Sequence, residues 1–223
     1  MKLSPLFALG CKPLAHLRNL GVALCLGGAG PALADPVTVV ALGDSLTQGY
    51  GLPADQGFVP VLQNWLDTQG ADVTIVNAGV SGDTTAGGLA RTDWALTPDA
   101  DAMILNLGGN DLLRGLDPAT SRANLDAILD KADARGLPVL LFGLRAPGNY
   151  GPAFQKAFNA MYADLAQEHG AIFVPDYLGP VTEGERLNLT YIQGDGIHPN
   201  AEGVKRLVDA VGPSVLELVA RAK

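Results

Sequence analysis

The sequence places a serine, an aspartate and a histidine in two short motifs near opposite ends of the chain. The serine is Ser45, inside Gly43–Leu46, and the other two residues are Asp195 and His198. A serine hydroxyl is a weak nucleophile until a positioned imidazole takes its proton, and the imidazole needs a third group to fix its tautomer. The glycine between Asp195 and His198 permits a turn in which the carboxylate folds back onto Nδ1 and leaves Nε2 facing Ser45. These residues predict a serine hydrolase.

Two further turns contain groups suited to stabilising the oxyanion of an acyl-transfer reaction. Gly82, within Val80–Thr84, offers a backbone N–H, and Asn110, within Gly108–Asp111, offers its side-chain amide. Removing such a donor by mutation costs about 3–4 kcal/mol of transition-state stabilisation. Gly-Asp and Asn-Asp pairs are also common in ordinary turns, so neither motif alone distinguishes an oxyanion hole from a plain turn.

Five short runs rich in Val, Ile and Leu alternate with helix-like segments. Apolar runs without polar alternation are typical of strands buried on both faces of a parallel sheet. The predicted strands are Val37–Leu42, Val73–Asn77, Ala102–Leu107, Pro138–Phe142 and Ala171–Val174. The predicted helices are Phe58–Thr68, Thr84–Leu96, Pro118–Arg135, Ala153–His169 and Ala201–Ala222. The alternation predicts a three-layer α/β domain with right-handed crossovers, and Pro175–Gly194 is predicted to be an ordered loop.

Each chemically suggestive motif follows a predicted strand. Gly43–Ser45 follows the first strand, Ala78–Thr84 the second, Gly108–Asp111 the third and Gly143–Tyr150 the fourth. In an open parallel sheet, ligands bind outside the carboxyl ends of the strands, because the loops diverge there and helix N-termini point inward. We therefore predict a single site at that edge of the sheet.

The N-terminal segment, residues 1–34, has the features of a secretory signal peptide. It carries three basic residues and no acidic one, an apolar stretch over Leu20–Ala29 and an Ala-x-Ala-type cleavage site after Ala34. The apolar stretch is too short for a permanent membrane span. We expect a single domain over residues 35–223 that is periplasmic or secreted in a bacterium, with no stable membrane anchor.

The composition of residues 35–223 excludes several classes of function. Both cysteines lie in the expected signal peptide, so the mature chain has no disulfide and no cysteine metal site. Removing the three basic residues of that segment leaves 12 Lys and Arg against 23 Asp and Glu, a formal charge of −11 that disfavours nucleic acid. His169 and His198 stand at unrelated positions, and no calcium loop, phosphate loop or dinucleotide fingerprint is present. We expect neither a metal nor a cofactor.

Four of these motifs, in this order, resemble the sequence blocks of the GDSL, or SGNH, hydrolase family. The blocks are Gly43–Leu46, Asn77–Thr84, Gly109–Asp111 and Asp195–Asn200, and they extend across the whole mature chain. The chain is more closely similar to the bacterial periplasmic subgroup of thioesterase I, lysophospholipase and arylesterase. That closer similarity lies in Leu42–Tyr50, in Gly88–Arg91 and in Leu144–Gly151.

The resemblance implies a fold and a set of roles. The fold would be a flavodoxin-like, five-stranded parallel sheet with helices on both faces. Ser45 would be the nucleophile, His198 the general base and then acid, and Asp195 its partner. The oxyanion hole would consist of the backbone N–H groups of Ser45 and Gly82 and the amide of Asn110.

The resemblance also implies substrate contacts. They would come from the Thr84–Leu89 loop, in particular Thr84 and Leu89, and from Arg145 and Tyr150. Arg145 is equally compatible with a solvated or salt-bridged surface residue.

These features together predict a metal-free serine esterase of the bacterial envelope. It would cleave carboxylic esters or thioesters of small molecules, as an arylesterase, acyl-CoA thioesterase or lysophospholipase does, through an acyl-enzyme. One alternative in the same fold is a carbohydrate O-acetyl esterase. A second alternative is a non-catalytic periplasmic binding module. The sequence leaves open the acyl chain length, the leaving group and the oligomeric state.

Overall fold

A parallel five-stranded sheet forms the centre of the computed structural model, which describes residues 36–184 and 186–223. The strands are β1 (Val37–Gly43), β2 (Val73–Gly79), β3 (Ala102–Asn106), β4 (Val139–Phe142) and β5 (Ile172–Val174). They lie in the order β2-β1-β3-β4-β5, and each neighbouring pair is parallel. The sheet predicted from the five apolar runs is therefore confirmed.

Helices connect these strands. In chain order they are α1 (Ser45–Gln48), α2 (Phe58–Thr68), α3 (Thr85–Ala95), α4 (Gly109–Leu113), α5 (Pro118–Asp133), α6 (Pro152–Glu168) and α7 (Ala201–Arg221). The five longer helices each begin and end within two residues of the prediction. They form two groups that contact the sheet, α2 with α7 and α3 with α5 and α6.

The helix ends follow ordinary capping chemistry. Asp117 accepts a hydrogen bond from Ala119 N at the start of α5, and Pro118 occupies the first helical position, where a missing N–H costs nothing. Asn200 caps α7 by accepting from Gly203 N. Along α7 the valines and leucines that face the core recur every three or four residues, as an amphipathic helix requires.

Short elements account for the differences from the sequence prediction. The helices α1 and α4 are too short for hydrophobic periodicity to reveal them. Within the predicted loop Pro175–Gly194, the structure has an antiparallel hairpin of β6 (Thr182–Glu183) and β7 (Arg186–Leu187) and two 3₁₀ turns. A two-residue strand leaves no alternation in the sequence, so periodicity could not detect this hairpin.

The described residues fall in one compact unit. The predicted signal peptide, residues 1–34, lies outside them and stays a prediction. Within the described part of the chain, no helix is both long and apolar enough to traverse a bilayer.

The centre of the sheet is apolar on both faces, and its carboxyl edge is polar. Val40 and Leu42 of β1 and Leu105 of β3 are completely buried. The short helix α1 begins after one intervening residue beyond β1, and α4 begins after two beyond β3, so that Ser45 and Asn110 stand at the same edge. The fold therefore brings the predicted nucleophile and one predicted oxyanion donor to neighbouring strand ends.

Candidate active site

Ser45, His198 and Asp195 form a continuous chain of hydrogen bonds. Ser45 is the first residue of α1, and its Oγ lies 2.8 Å from Nε2 of His198. Nδ1 of the same imidazole lies 2.6 Å from Oδ2 of Asp195. Ser45 and His198 are 153 residues apart in the sequence and meet only because the chain folds. The structure thus gives these three residues the geometry of a nucleophile, a base and a group that orients the base.

The turn that carries Asp195 fixes the tautomer of His198. Oδ1 of Asp195 accepts hydrogen bonds from the backbone N–H groups of Ile197 and His198, each at 3.0 Å, across Gly196 with its φ of +79°. Burial raises the pKa of Asp195, but these bonds and the imidazole outweigh it and lower the pKa to about 2. An ionised carboxylate only accepts, so Nδ1 must carry the hydrogen and Nε2 of the neutral ring accepts from Ser45.

The two predicted oxyanion donors come after β2 and β3: Gly82 lies on the loop after β2, and Asn110 lies in α4 after β3. Asn110 lines the same cavity as Ser45 and His198. Gly82 has a φ of +86°, which favours glycine, and lies in an exposed turn. That turn is tied to the nucleophile strand because Val80 N donates to Gly43 O at 3.0 Å. Their roles as oxyanion donors remain predictions.

Asp44 is a buried carboxylate directly beside the nucleophile. It is 2% exposed, caps α1 by accepting from Leu46 N at 3.0 Å, and accepts from Nδ2 of Asn110 at 3.4 Å. Burial raises the pKa of Asp44 to about 6, although the hydrogen bonds from Leu46 and Asn110 act in the opposite direction. An acceptor on one amide hydrogen of Asn110 orients the amide group. The sequence showed this aspartate within its motif but gave no indication of that contact.

Asp111, next to Asn110, fixes the position of α4 through buried hydrogen bonds. It is 1% exposed and accepts three hydrogen bonds, from the backbone N and the hydroxyl of Thr85 and from the hydroxyl of Ser121. Thr85 begins α3 and Ser121 lies in α5, so Asp111 joins α4 to two other helices. A buried carboxylate is tolerated only when it is paired or hydrogen-bonded in this way.

Arg91 of α3 holds three segments of the site edge together. Its Nε lies 2.6 Å from Oδ2 of Asp83, Nη1 donates to Ala78 O at 2.7 Å, and Nη2 donates to Gly43 O at 2.8 Å. These acceptors lie in the Gly82 turn, in β2 and in β1. The sequence assigned no role to Arg91, because its three acceptors come from different parts of the chain.

A cavity of about 950 Å³ opens beside Ser45 and His198. It extends along α4, the loop after β4, α6 and the β6–β7 hairpin. Its apolar lining includes Leu112, Leu113, Leu144, Phe173, Leu187 and Ile197. The lining also includes polar and charged side chains, among them Asn149, Gln155, Asn159 and Asp176. A concave site of this volume with mixed lining is typical of small-molecule sites.

Two of the four predicted substrate-contacting residues line this cavity. Arg145 lines it with a side chain that is 70% exposed, and its Nε lies 3.5 Å from Oδ2 of Asp176. Arg145 therefore lines the cavity, as the substrate-contact prediction requires, and also forms the salt bridge that was the alternative prediction. Tyr150 also lines the cavity, and its hydroxyl donates to Leu113 O at 3.3 Å.

The other two predicted contacts, Thr84 and Leu89, are absent from the cavity lining. Thr84 is the N-cap of α3 and accepts from Gly87 N, and Leu89 packs against the hydrophobic core. Their positions support the packing of α3 and give no basis for a substrate contact. The loop after β4, whose Ala146 is hydrogen-bonded by Asn159 and Gln155 of α6, forms the wall in their place.

Several carboxylates surround His169, which is not among the residues that line the cavity. The sequence predicted no metal site. Nδ1 of His169 lies 2.6 Å from Asp133 and Nε2 lies 2.8 Å from Asp126, with Glu168 and Asp130 also nearby. Both ring nitrogens are thus engaged with carboxylates of α5. These two contacts link α5 to the C-terminal end of α6.

Comparison with known proteins gives consistent matches across the described unit. Residues 41–206 match the model of the GDSL-like lipase/acylhydrolase family. Esterase TesA of Pseudomonas aeruginosa is 40% identical over 183 residues, which are 82% of this chain and 89% of that protein. The thioesterase 1/protease 1/lysophospholipase L1 of Escherichia coli (strain K12) is 36% identical over 183 residues, or 82% and 85%. The solved structure of AlinE4, an SGNH-hydrolase family esterase, matches with a TM-score of 0.69 and 42% identity over 83% of this chain and 98% of that one.

Proposed function

Since the chain belongs to the GDSL-like lipase/acylhydrolase family and is a serine esterase, we propose that it cleaves esters or thioesters of aliphatic acyl chains through an acyl-enzyme on Ser45. Family membership and the SGNH fold, both predicted from the sequence, are confirmed. The observation that carries the proposal is the hydrogen-bonded chain from Oγ of Ser45 through His198 to Asp195.

In the acylation step, Oγ of Ser45 attacks the carbonyl carbon while Nε2 of His198 takes the hydroxyl proton. The carbonyl oxygen becomes an oxyanion that accepts from the backbone N–H groups of Ser45 and Gly82 and from the amide of Asn110. The imidazolium then gives its proton to the leaving alcohol or thiol as the bond to it breaks. Asp195 stabilises the imidazolium because its depressed pKa keeps it ionised.

In the deacylation step, a water molecule takes the place of the leaving group. Nε2 of His198 accepts a proton from this water as its oxygen attacks the acyl carbon. The second tetrahedral intermediate uses the same oxyanion donors. Its collapse returns the proton to Oγ of Ser45 and releases the carboxylic acid, so the enzyme regains its starting state.

The cavity supports acyl groups longer than acetate. Its lining includes Ser45 together with the apolar side chains of Phe173 and Leu187. Each buried methylene contributes about 0.8 kcal/mol, so a chain that follows these walls gains affinity with its length. An O-acetyl esterase needs no apolar wall beyond the acetyl group, so the apolar part of the lining favours longer acyl chains over that alternative.

A series of p-nitrophenyl esters of increasing acyl length tests the proposal. We expect kcat/KM to rise from acetate toward medium chain lengths, because the apolar cavity binds the added methylenes. Acyl-CoA and lysophospholipid assays at equal concentration then separate thioester from ester preference. Activity confined to acetate would contradict the proposed substrate class and favour the O-acetyl esterase.

Ser45→Ala provides the test of the nucleophile. We expect a fall in kcat of up to about a millionfold, by analogy with other serine triads, and no fluorophosphonate labelling. Ser81→Ala is a matched control, since Ser81 is an exposed serine on the neighbouring Gly82 turn. Equal labelling of Ser45→Ala and the parent would refute the assignment.

The proposed location is the periplasm or the medium, on the basis of the signal-peptide features of residues 1–34. We expect the processed protein in the periplasmic or culture fraction to begin at Asp35. Mass spectrometry of the N-terminal peptide from those fractions measures this directly. Recovery of the unprocessed chain from the cytoplasm alone would contradict the proposed location.

A further inference from the structure

We propose that Gln193 is a positioning residue that sets the distance between Ser45 and His198. Its Nε2 donates to Tyr50 O at 2.8 Å and to Pro199 O at 2.9 Å, so both amide hydrogens are used. One acceptor follows the nucleophile helix α1 and the other follows His198. The side chain therefore connects the two segments that supply the nucleophile and the base. The inference rests on the proposed roles of Ser45 and His198.

The connection continues through the backbone on both sides of Gln193. Toward the nucleophile, Tyr50 N donates to Ser45 O at 3.2 Å. Toward the base, Gln193 N donates to His198 O at 2.7 Å. Three consecutive hydrogen bonds thus lead from the backbone of Ser45 to the backbone of His198, with Gln193 in the middle. A second contact between the two segments is made by the Tyr50 ring, whose centroid lies 4.8 Å from that of the His198 ring.

The residue after Tyr50 is a glycine, which leaves room for the side chain of Gln193. Gly51 has a φ of +75°, and a Cβ at that position would collide with Oε1 of Gln193. A side chain at Gly51 would push the glutamine away from both carbonyl acceptors. The glycine and the glutamine are therefore complementary, although 142 residues separate them in the sequence.

The contact between His198 and Asp195 does not depend on the side-chain amide of Gln193. Those two residues are three positions apart, and the turn is closed by backbone bonds from Ile197 and His198 to the carboxylate. Loss of the glutamine amide should leave the pair intact but let it move relative to Ser45. A misplacement of about 1 Å at a reacting group costs roughly 100-fold in rate.

Gln193→Met tests the inference, because methionine keeps the length of the side chain and removes both donors. We expect kcat and the rate of fluorophosphonate labelling to fall about 10- to 100-fold, with KM within about twofold of the parent. The acid limb of the pH profile should not move, since Asp195 and His198 stay paired. Gln193→Glu, which places a carboxylate against two carbonyl oxygens, should lower kcat further at about pH 8.

Gln63→Met is the matched control. Gln63 of α2 also bridges two segments through its amide, with Nε2 donating to Val73 O and Oε1 accepting from Ile75 N, each at 2.9 Å. Its partners lie in α2 and at the start of β2 and include neither the segment after α1 nor the Asp195–Pro199 segment, so we expect a similar loss of stability and an unchanged kcat. An equal fall in kcat for both methionine variants would overturn the inference, since general destabilisation would then explain it.

Two other outcomes would also overturn it. A kcat for Gln193→Met within twofold of the parent would show that the amide does not set the distance, and a displaced acid limb would show that it acts on the His198–Asp195 pair. Parent enzyme that hydrolyses no ester or thioester contradicts the proposed function itself. The two failures are therefore distinguishable.

Discussion

Asp44→Asn should stabilise the fold at neutral pH while it weakens catalysis. The raised pKa means that the folded protein binds the Asp44 proton more tightly than the unfolded chain does. Between pH 3.8 and about 6 the folded state alone keeps this proton, so stability falls as the pH rises through that interval. Above it, ionised Asp44 lowers the free energy of unfolding by about 3 kcal/mol, at about 1.4 kcal/mol for each unit of pKa.

Asparagine removes this charge but keeps the shape of the side chain. Leu46 N donates to Oδ1 of Asp44 and Nδ2 of Asn110 donates to Oδ2, so an amide that keeps only one of these oxygens loses one bond, which costs about 1 kcal/mol. The net expectation is a gain of about 2 kcal/mol in the free energy of unfolding at about pH 8. Near pH 4, where Asp44 is protonated in the folded state, the gain should vanish or change sign.

Urea denaturation at several pH values between about 4 and 8 measures the difference between Asp44→Asn and the parent. Asp117→Asn is a matched control, because Asp117 is also an N-cap carboxylate but is exposed. We expect little change for the control at any pH. A difference between Asp44→Asn and the parent that does not vary with pH would refute the reasoning.

Two further predictions concern charged groups that hold the helices. Arg91→Met should lower the free energy of unfolding by on the order of 2 kcal/mol and also lower kcat, because it leaves Asp83 and two strand-end carbonyls without this partner. As a control, Lys131→Met breaks the exposed Lys131–Asp93 pair and should cost at most about 1 kcal/mol. Burial lowers the pKa of His169, but its bonds to Asp133 and Asp126 outweigh this and raise it, so His169→Gln should destabilise the protein more at about pH 6 than at pH 9. Denaturation curves measure both changes in stability, and ester-hydrolysis rates measure kcat for Arg91→Met. A His169→Gln loss that is equal at the two pH values would contradict the second prediction.

The sequence predicted those features whose cause is local. β1 and β3 are buried on both faces, so their residues are apolar without alternation, and the runs are visible in the sequence. The Asp195–His198 turn closes within four residues around a glycine with positive φ. Ser45 was identifiable because its residue type and its place after a strand both favour the same chemistry.

The sequence could not predict features that depend on contacts between distant segments. The cavity wall comes from the loop after β4, because Asn159 and Gln155 of α6 hold Ala146 there. The substrate contacts of Thr84 and Leu89 were implied by the resemblance, whereas a threonine at the start of the predicted helix is also typical of an N-cap, which is the role that Thr84 has. Gln193 is likewise one glutamine among several until Tyr50 is brought beside it by the fold.

The distribution of hydrogen bonds among the buried charges explains why stability and activity should conflict at Asp44. Asp111 accepts three short bonds and Arg91 makes three, so each of these charges is well compensated. Asp44 accepts only two, and the one from Asn110 is long at 3.4 Å. A buried charge with few partners is costly. Asp44 nevertheless holds one amide hydrogen of Asn110 and leaves the other available for the predicted contact with the oxyanion. The substitution that removes the cost therefore also removes that orientation.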